Sequence, residues 1–197
     1  MISWLVSFKR AFPGLWNGIE RANGALFKIW WRSISQTASG TIAEYAPDGF
    51  SFSMVEKDDL PSLSAFLEAQ PEDSFQFFRP HLFDMATLTR LWKNSSFLMM
   101  KATDSEGRII GYYFLRCFFV GVAFAGLIVD EGYRNLGLGR RMWASCMRVC
   151  HKRHLRMFAT VSSKNIPSLR SCSHGTDMKI LRQMKDDYLM IECKIKQ

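Results

Sequence analysis

Residues 112–129 are almost wholly apolar, interrupted by Arg116, and no other stretch constrains the fold as much. The uninterrupted part, 117–129, falls short of the roughly 20 residues that a membrane-spanning helix needs. Its enrichment in Val, Phe and Ile suits extended chain, and Gly121 near the centre supplies a turn. The stretch therefore reads as two buried strands joined in a hairpin.

Periodicity places the other elements around that hairpin. Phe50, Phe52 and Met54 alternate with Ser51 and Ser53, the pattern of a half-buried strand. Leu60, Leu63, Phe66 and Leu67 mark a short helix that Asp58 and Asp59 can cap, with Pro61 in its first turn. Residues 70–83 are irregular and aromatic. Asp84 can cap a second helix bearing Met85, Leu88, Leu91 and Trp92. Strands are expected at 96–102 and 109–118, joined by the turn Asp104-Ser105-Glu106-Gly107, and then at 123–129. A helix over 137–151, a strand over 155–161, a short helix over 167–174 and a closing strand over 188–195 complete the order. The fold class is α/β (α+β), with a mixed central sheet and helices on both faces.

Residues 1–48 form a separate block, a helical extension and linker ahead of a compact domain at 49–197. Trp4, Phe8, Phe12, Leu15, Trp16, Ile19, Leu26, Phe27 and Trp30 recur at helical spacing, and Pro13-Gly14 should divide them into two helices. Lys9, Arg10, Arg21, Lys28 and Arg32 against Glu20 make the block basic. Such a segment suits an arm packed on its own domain or on a homodimer mate, or peripheral membrane contact through residues 1–35. No small-residue cleavage site follows its first apolar stretch, so it is not read as a secretory signal. Residues 36–48 read as the linker.

The chain has 26 basic residues against 18 acidic ones, a formal charge of +8 that favours anionic partners. Coenzyme A, nucleotide-linked substrates, nucleic acid and anionic lipid all fit that charge. No nucleic-acid recognition motif accompanies it. The five cysteines (Cys117, Cys146, Cys150, Cys172 and Cys193) are dispersed through apolar segments, as expected of reduced core thiols in a cytoplasmic protein. Cys146, Cys150, His151 and His154 have helical metal-ligand spacing. The two histidines lie in a basic run, however, so a solvated helix end is expected rather than a metal site.

The chemistry concentrates where the second strand of the hairpin meets a helix. Asp130-Glu131-Gly132-Tyr133 leads into Arg134-Asn135-Leu136-Gly137-Leu138-Gly139, and the helix opens there. Glycines at such a turn let backbone approach a phosphate, while the free N–H groups and positive dipole end of the helix face the anion. Arg134, Arg140 and Arg141 add charge-assisted contacts. The spacing is not that of a dinucleotide fingerprint, and no acidic residue ends a following strand.

Leu127-Ile128-Val129-Asp130 followed by Tyr133-Arg134-x-x-Gly137-x-Gly139-Arg140 resembles the acetyl-CoA signature of the GNAT superfamily of N-acetyltransferases. Residues 161–170 resemble the family's second signature, a strand followed by Asn165 and a small residue, here Ser168. Gly107 and Gly111 fall where the family's hairpin carries glycines. The match covers about 50–196, so residues 1–48 are expected to be dispensable for cofactor binding. The resemblance implies a mostly antiparallel sheet and acetyl transfer from acetyl-CoA to an amine acceptor in a ternary complex. Ile128, Val129, the loop 134–140, Asn165 and Ser168 would bind the cofactor, and the Val129 N–H would hold the thioester oxygen. An amino sugar on a nucleotide carrier is the favoured acceptor. A CoA-binding scaffold without turnover is the alternative.

The chain departs from the family at the proton-transfer positions. Ala123 stands where some members carry a glutamate, Cys172 where many carry a tyrosine acid, and Thr176 where an aromatic usually follows the last glycine. Cys172 is a candidate proton donor or a space-filling thiol. His81 is a candidate base on its intrinsic pKa, or a structural residue. Arg79 and Asp84 are candidate acceptor-binding residues, with helix capping the plainer role for Asp84.

Overall fold

The computed structural model describes residues 13–30 and 33–196. The aromatic spacing at Trp4, Phe8 and Phe12 and the charges of Lys9, Arg10 and Arg32 lie outside the described residues. Among the described residues seven strands form one sheet in the order β1-β2-β3-β4-β5-β7-β6. They are β1 (Ser51–Met54), β2 (Phe97–Thr103), β3 (Ile109–Phe118), β4 (Val122–Val129), β5 (Arg156–Ser162), β6 (Asp177–Gln183) and β7 (Tyr188–Lys194). Neighbours pair antiparallel except β4 with β5. The apolar stretch is the β3–β4 hairpin, turned at Gly121 with φ 81°.

Among the described residues seven helices surround the sheet: α1 (Pro13–Trp30), α2 (Ile34–Ile42), α3 (Leu60–Glu68), α4 (Glu72–Phe75), α5 (Met85–Trp92), α6 (Leu138–Lys152) and α7 (Ile166–Gly175). Alternation along β3 divides the core in two. Tyr113, Leu115 and Cys117 join Met142, Trp143 and Cys146 of α6 on one face. Tyr112 and Phe114 join Leu63 and Leu67 of α3 and Leu88 and Leu91 of α5 on the other. All five cysteines are buried and free. Among the described residues no group of His, Cys, Asp or Glu can hold a metal, and no helix is long and apolar enough to cross a membrane.

Two expectations need correction. The segment 36–48 is not a linker, because most of it is α2 and a 3-10 turn, and Ile34, Ala38, Thr41 and Ile42 are buried. Its spacing is amphipathic, but small and polar residues (QTASG) hid the pattern. The second miss is β6, whose residues are nearly all exposed and whose register shifts between Ile180 and Arg182. An edge strand with no buried face carries no alternation to read. Asp84 caps α5 as expected, accepting the Thr87 N–H at 2.8 Å, and Gly107 turns the β2–β3 hairpin at φ 79°. Asp59, by contrast, makes no side-chain cap bond to α3 and accepts the Glu56 N–H at 2.8 Å instead.

Candidate active site

Strands β4 and β5 pair only through Val122–Arg156, Ala123–Met157 and Phe124–Phe158, then separate. β4 stays paired with β3 to Val129, and β5 with β7 to Ser162, so the two strands open a wedge inside the sheet. Which groups face it follows from alternation. Asp130 N donates to Ile110 O at 2.8 Å, so even-numbered residues of β4 turn their N–H groups toward β3. Ala125, Leu127 and Val129 therefore turn theirs into the wedge. Arg156 N donates to Gly121 O at 2.9 Å, so even-numbered residues of β5 face β4, and Thr160 and Ser162 present backbone across the gap. The Val129 N–H is thus one of those that face the wedge. Leu127 is a second inward donor, while the N–H of Ile128 belongs to β3 and its side chain forms wall.

The wedge opens into a cleft of about 1010 Å³ lined by 125–129, 133–140, Trp143, 160–162, Asn165, Ser168 and residues of α4 and α7. At its mouth Gly137 takes φ 80°, a left-handed conformation that costs most other residues about 1 kcal/mol or more. Asn135 is also left-handed at φ 64°. The turn aims the unpaired first-turn N–H groups of α6 into the cleft. Gly139 faces α7, where a Cβ would meet Ser171 Cβ at 3.4 Å, an ordinary contact. Asn165 caps α7 by accepting the Ser168 N–H at 3.1 Å, which leaves its Nδ2 as the donor for the cleft.

Arg134 reaches across the mouth, donating to Ser74 Oγ of α4 at 2.7 Å. Tyr133 anchors the loop from behind: its hydroxyl donates to Asp104 Oδ2 at 2.9 Å and accepts from Arg108 Nη2 at 3.1 Å. Desolvation pushes the Asp104 carboxyl up. The side-chain bonds from Arg108 and Tyr133 and the backbone bonds from Arg108 and Glu106 outweigh it and bring the pKa down to about 2.

The proton-transfer candidates are not brought into the cleft lining. His81 lies behind its wall, caged by Phe83, Phe97, Tyr112 and Phe114. Its Nδ1 is 2.8 Å from Leu82 O and its Nε2 3.1 Å from the Tyr112 hydroxyl. A carbonyl can only accept, so Nδ1 carries a proton, and in the neutral ring Nε2 accepts from Tyr112. Cys172 is fully buried, with Sγ 3.5 Å from Cys193 Sγ and 3.6 Å from Thr176 Oγ1. The hydrogen bond with Cys193 and then burial push its thiol up, so it fills space rather than supplying protons. Arg79 stacks over Phe75 at 5.4 Å, and both oxygens of Asp84 are taken by Thr87. Sequence reasoning missed Arg170, His174, Ser74, Phe77 and Phe78, which do line the cleft. The four-residue spacing of Arg170 and His174 on one helix face was the available signal.

The acetyltransferase (GNAT) family model matches residues 63–175, more than half of the chain. Among solved structures, the chain is similar to the GNAT domain of S. lividans PAT (TM-score 0.63, 16% identity, 73% of this chain and 89% of that one). The ribosomal-protein-S5-alanine acetyltransferase from Vibrio fischeri gives TM-score 0.61 at 14% identity, covering 76% and 94%. The spermidine N-acetyltransferase from Vibrio cholerae, in complex with CoA and spermine, gives 0.58 at 11%, covering 75% and 94%. No curated protein matches the chain in sequence.

Proposed function

This chain belongs to the acetyltransferase (GNAT) family, an acyl-CoA-dependent N-acyltransferase with acetyl-CoA as co-substrate, and we propose that it acetylates a primary amine. The observation that carries the reading is the wedge between β4 and β5, whose inward backbone groups end at a left-handed glycine turn. Residues 134–140 would hold the pyrophosphate, and Asn165 Nδ2 and the wedge edges the pantetheine amides. The Val129 N–H would polarise the thioester oxygen, with Leu127 as the next donor. Acetyl-CoA, when bound, supplies the activated carbonyl that the amine attacks. Among the described lining residues Asp73 is the one carboxylate, so the amine's proton leaves through water and the inward carbonyls of β4.

The chain's net charge of +8 supports an anionic acceptor, of which an amino sugar on a nucleotide carrier is the favoured form, over a polyamine. The test is thiol release from acetyl-CoA with a panel of nucleotide-linked amino sugars and polyamines. Release with the former supports the reading and release with polyamines alone reverses the acceptor class. Tight acetyl-CoA binding without transfer to any amine would point to the scaffold instead.

For α1 the proposal is contact with an anionic membrane surface. Its outer side exposes Leu26 and Ile29 near Lys28, and Asn23 on its inner side bonds the N–H of exposed Phe119 at 3.1 Å, beside exposed Val120. Salt-sensitive flotation with anionic vesicles supports this, and no flotation at low salt removes it.

A further inference from the structure

The cleft holds more positive charge than one pyrophosphate explains. The loop N–H groups, the dipole of α6 and Arg134 already converge on that group. Farther out, Arg140, Arg170 and His174 also line the cleft, all three exposed. Arg170 and His174 are four residues apart and share one face of α7.

Backbone contacts fix how that face sits. Ser171, between the two, packs against Gly139. At Gly175 a Cβ would lie 2.4 Å from Arg140 O and 3.1 Å from Trp143 Cβ, so the helices touch there main chain to main chain. This packing sets Arg170 and His174 beside Arg140 by rigid elements rather than by flexible reach. Neither α6 nor α7 contains an acidic residue to neutralise them. Asp73 sits on α4, beside the Arg134–Ser74 contact.

We propose that Arg140, Arg170 and His174 form a second phosphate subsite, which takes the 3′-phosphate on the ribose of coenzyme A. The inference rests on the acetyl-CoA reading above. A phosphate monoester carries about −1.5 to −2 charge near pH 7, which suits three cationic or donor side chains. It is borne by the same ribose whose 5′ carbon carries the pyrophosphate, so it is the nearest other anion once the loop is engaged. The subsite makes the enzyme select 3′-phosphorylated donors over dephosphorylated ones.

Calorimetry with acetyl-CoA and 3′-dephospho-acetyl-CoA tests this. The wild type should prefer acetyl-CoA by at least about tenfold. The Arg170→Ala, His174→Ala double variant should lose most of that preference by weakening acetyl-CoA alone, and Arg170→Lys should keep most of it. Equal affinity of the wild type for both donors overturns the subsite, as does a double variant that weakens both alike. If neither donor binds the wild type, the cofactor reading falls and the subsite with it.

Discussion

The Tyr133 hydroxyl donates to the Asp104 carboxylate at 2.9 Å, which ties the glycine-bearing loop before α6 to the turn between β2 and β3. Asp104 titrates near 2 in the fold, below the roughly 3.9 of an unfolded aspartate. A depressed carboxyl contributes stability above its unfolded pKa and loses it as pH falls through its folded one. Asp104→Asn should therefore melt lower than wild type at pH 6, with the gap closing between about pH 4 and pH 2. Tyr133→Phe should keep the hairpin turn but raise the acetyl-CoA dissociation constant about two- to fivefold. Calorimetric binding with melting curves at pH 6, 4 and 2 checks both, and an unchanged gap at pH 2 would contradict the assignment.

Gly137 offers a direct probe of the mouth. Glu there adds a carboxylate beside the pyrophosphate position and strains a backbone at φ 80°. Cofactor affinity should fall by at least about tenfold, or roughly 1.4 kcal/mol. Gly137→Asn tolerates the left-handed conformation better and adds no charge, so it should fall between wild type and Glu. A folded Glu variant with unchanged affinity would remove the loop from the site.

How legible the molecule was depended on what each part buries. The β3–β4 hairpin, the helix after it and the turn at Gly137 were readable because their residues repeat at the period of a buried face or carry a glycine where φ is positive. The proton-transfer residues were not. His81 and Cys172 had suitable chemistry, but whether a side chain faces the wedge or the core depends on partners distant in sequence. Cys193, 21 residues away, and Tyr112, 31 residues away, hold them. Charge on α7 was overlooked because Arg170 and His174 join Arg140 only when Gly175 lets the helices close.

That geometry decides what His81 and Cys172 variants should do. Both ring nitrogens of His81 are engaged, so His81→Gln should change kcat/KM by less than about threefold and leave its acidic limb in place. His81→Ala leaves the buried Tyr112 hydroxyl without its partner, at about 1–3 kcal/mol of stability. Cys172→Ala should also act on stability and leave turnover within a few-fold. The measurement is a pH–rate profile beside urea unfolding. An acidic limb flattened by His81→Gln in a stable variant would restore the histidine as base.

The N-terminal helices lie outside the family match at residues 63–175, yet they belong to the same core. Phe27, Ile34, Ala38 and Ile42 are buried in one cluster with Met142, Trp143 and Cys150 of α6. Lys152 Nζ donates to the buried Thr41 hydroxyl at 3.0 Å, and Asn23 Nδ2 donates to Ser96 Oγ at 3.1 Å and Cys117 O at 3.0 Å. Burying a Phe or Ile side chain stabilises by about 1.5–3 kcal/mol, so the three large ones together contribute on the order of 5–9 kcal/mol as an upper figure. That is comparable with the whole stability of a typical domain, about 5–15 kcal/mol. A chain beginning at Ala46, expected to bind cofactor if it folds, should therefore be insoluble or lack a cooperative melt. Because such a chain can fail without telling why, Ile42→Ala in the full chain gives the graded test. It should cost about 2–5 kcal/mol by urea unfolding. Acetyl-CoA should recover part of that by mass action, since the cofactor binds only the folded state. A chain starting at Ala46 that melts cooperatively and binds acetyl-CoA as the full chain does would show that α1 and α2 are ornament rather than core.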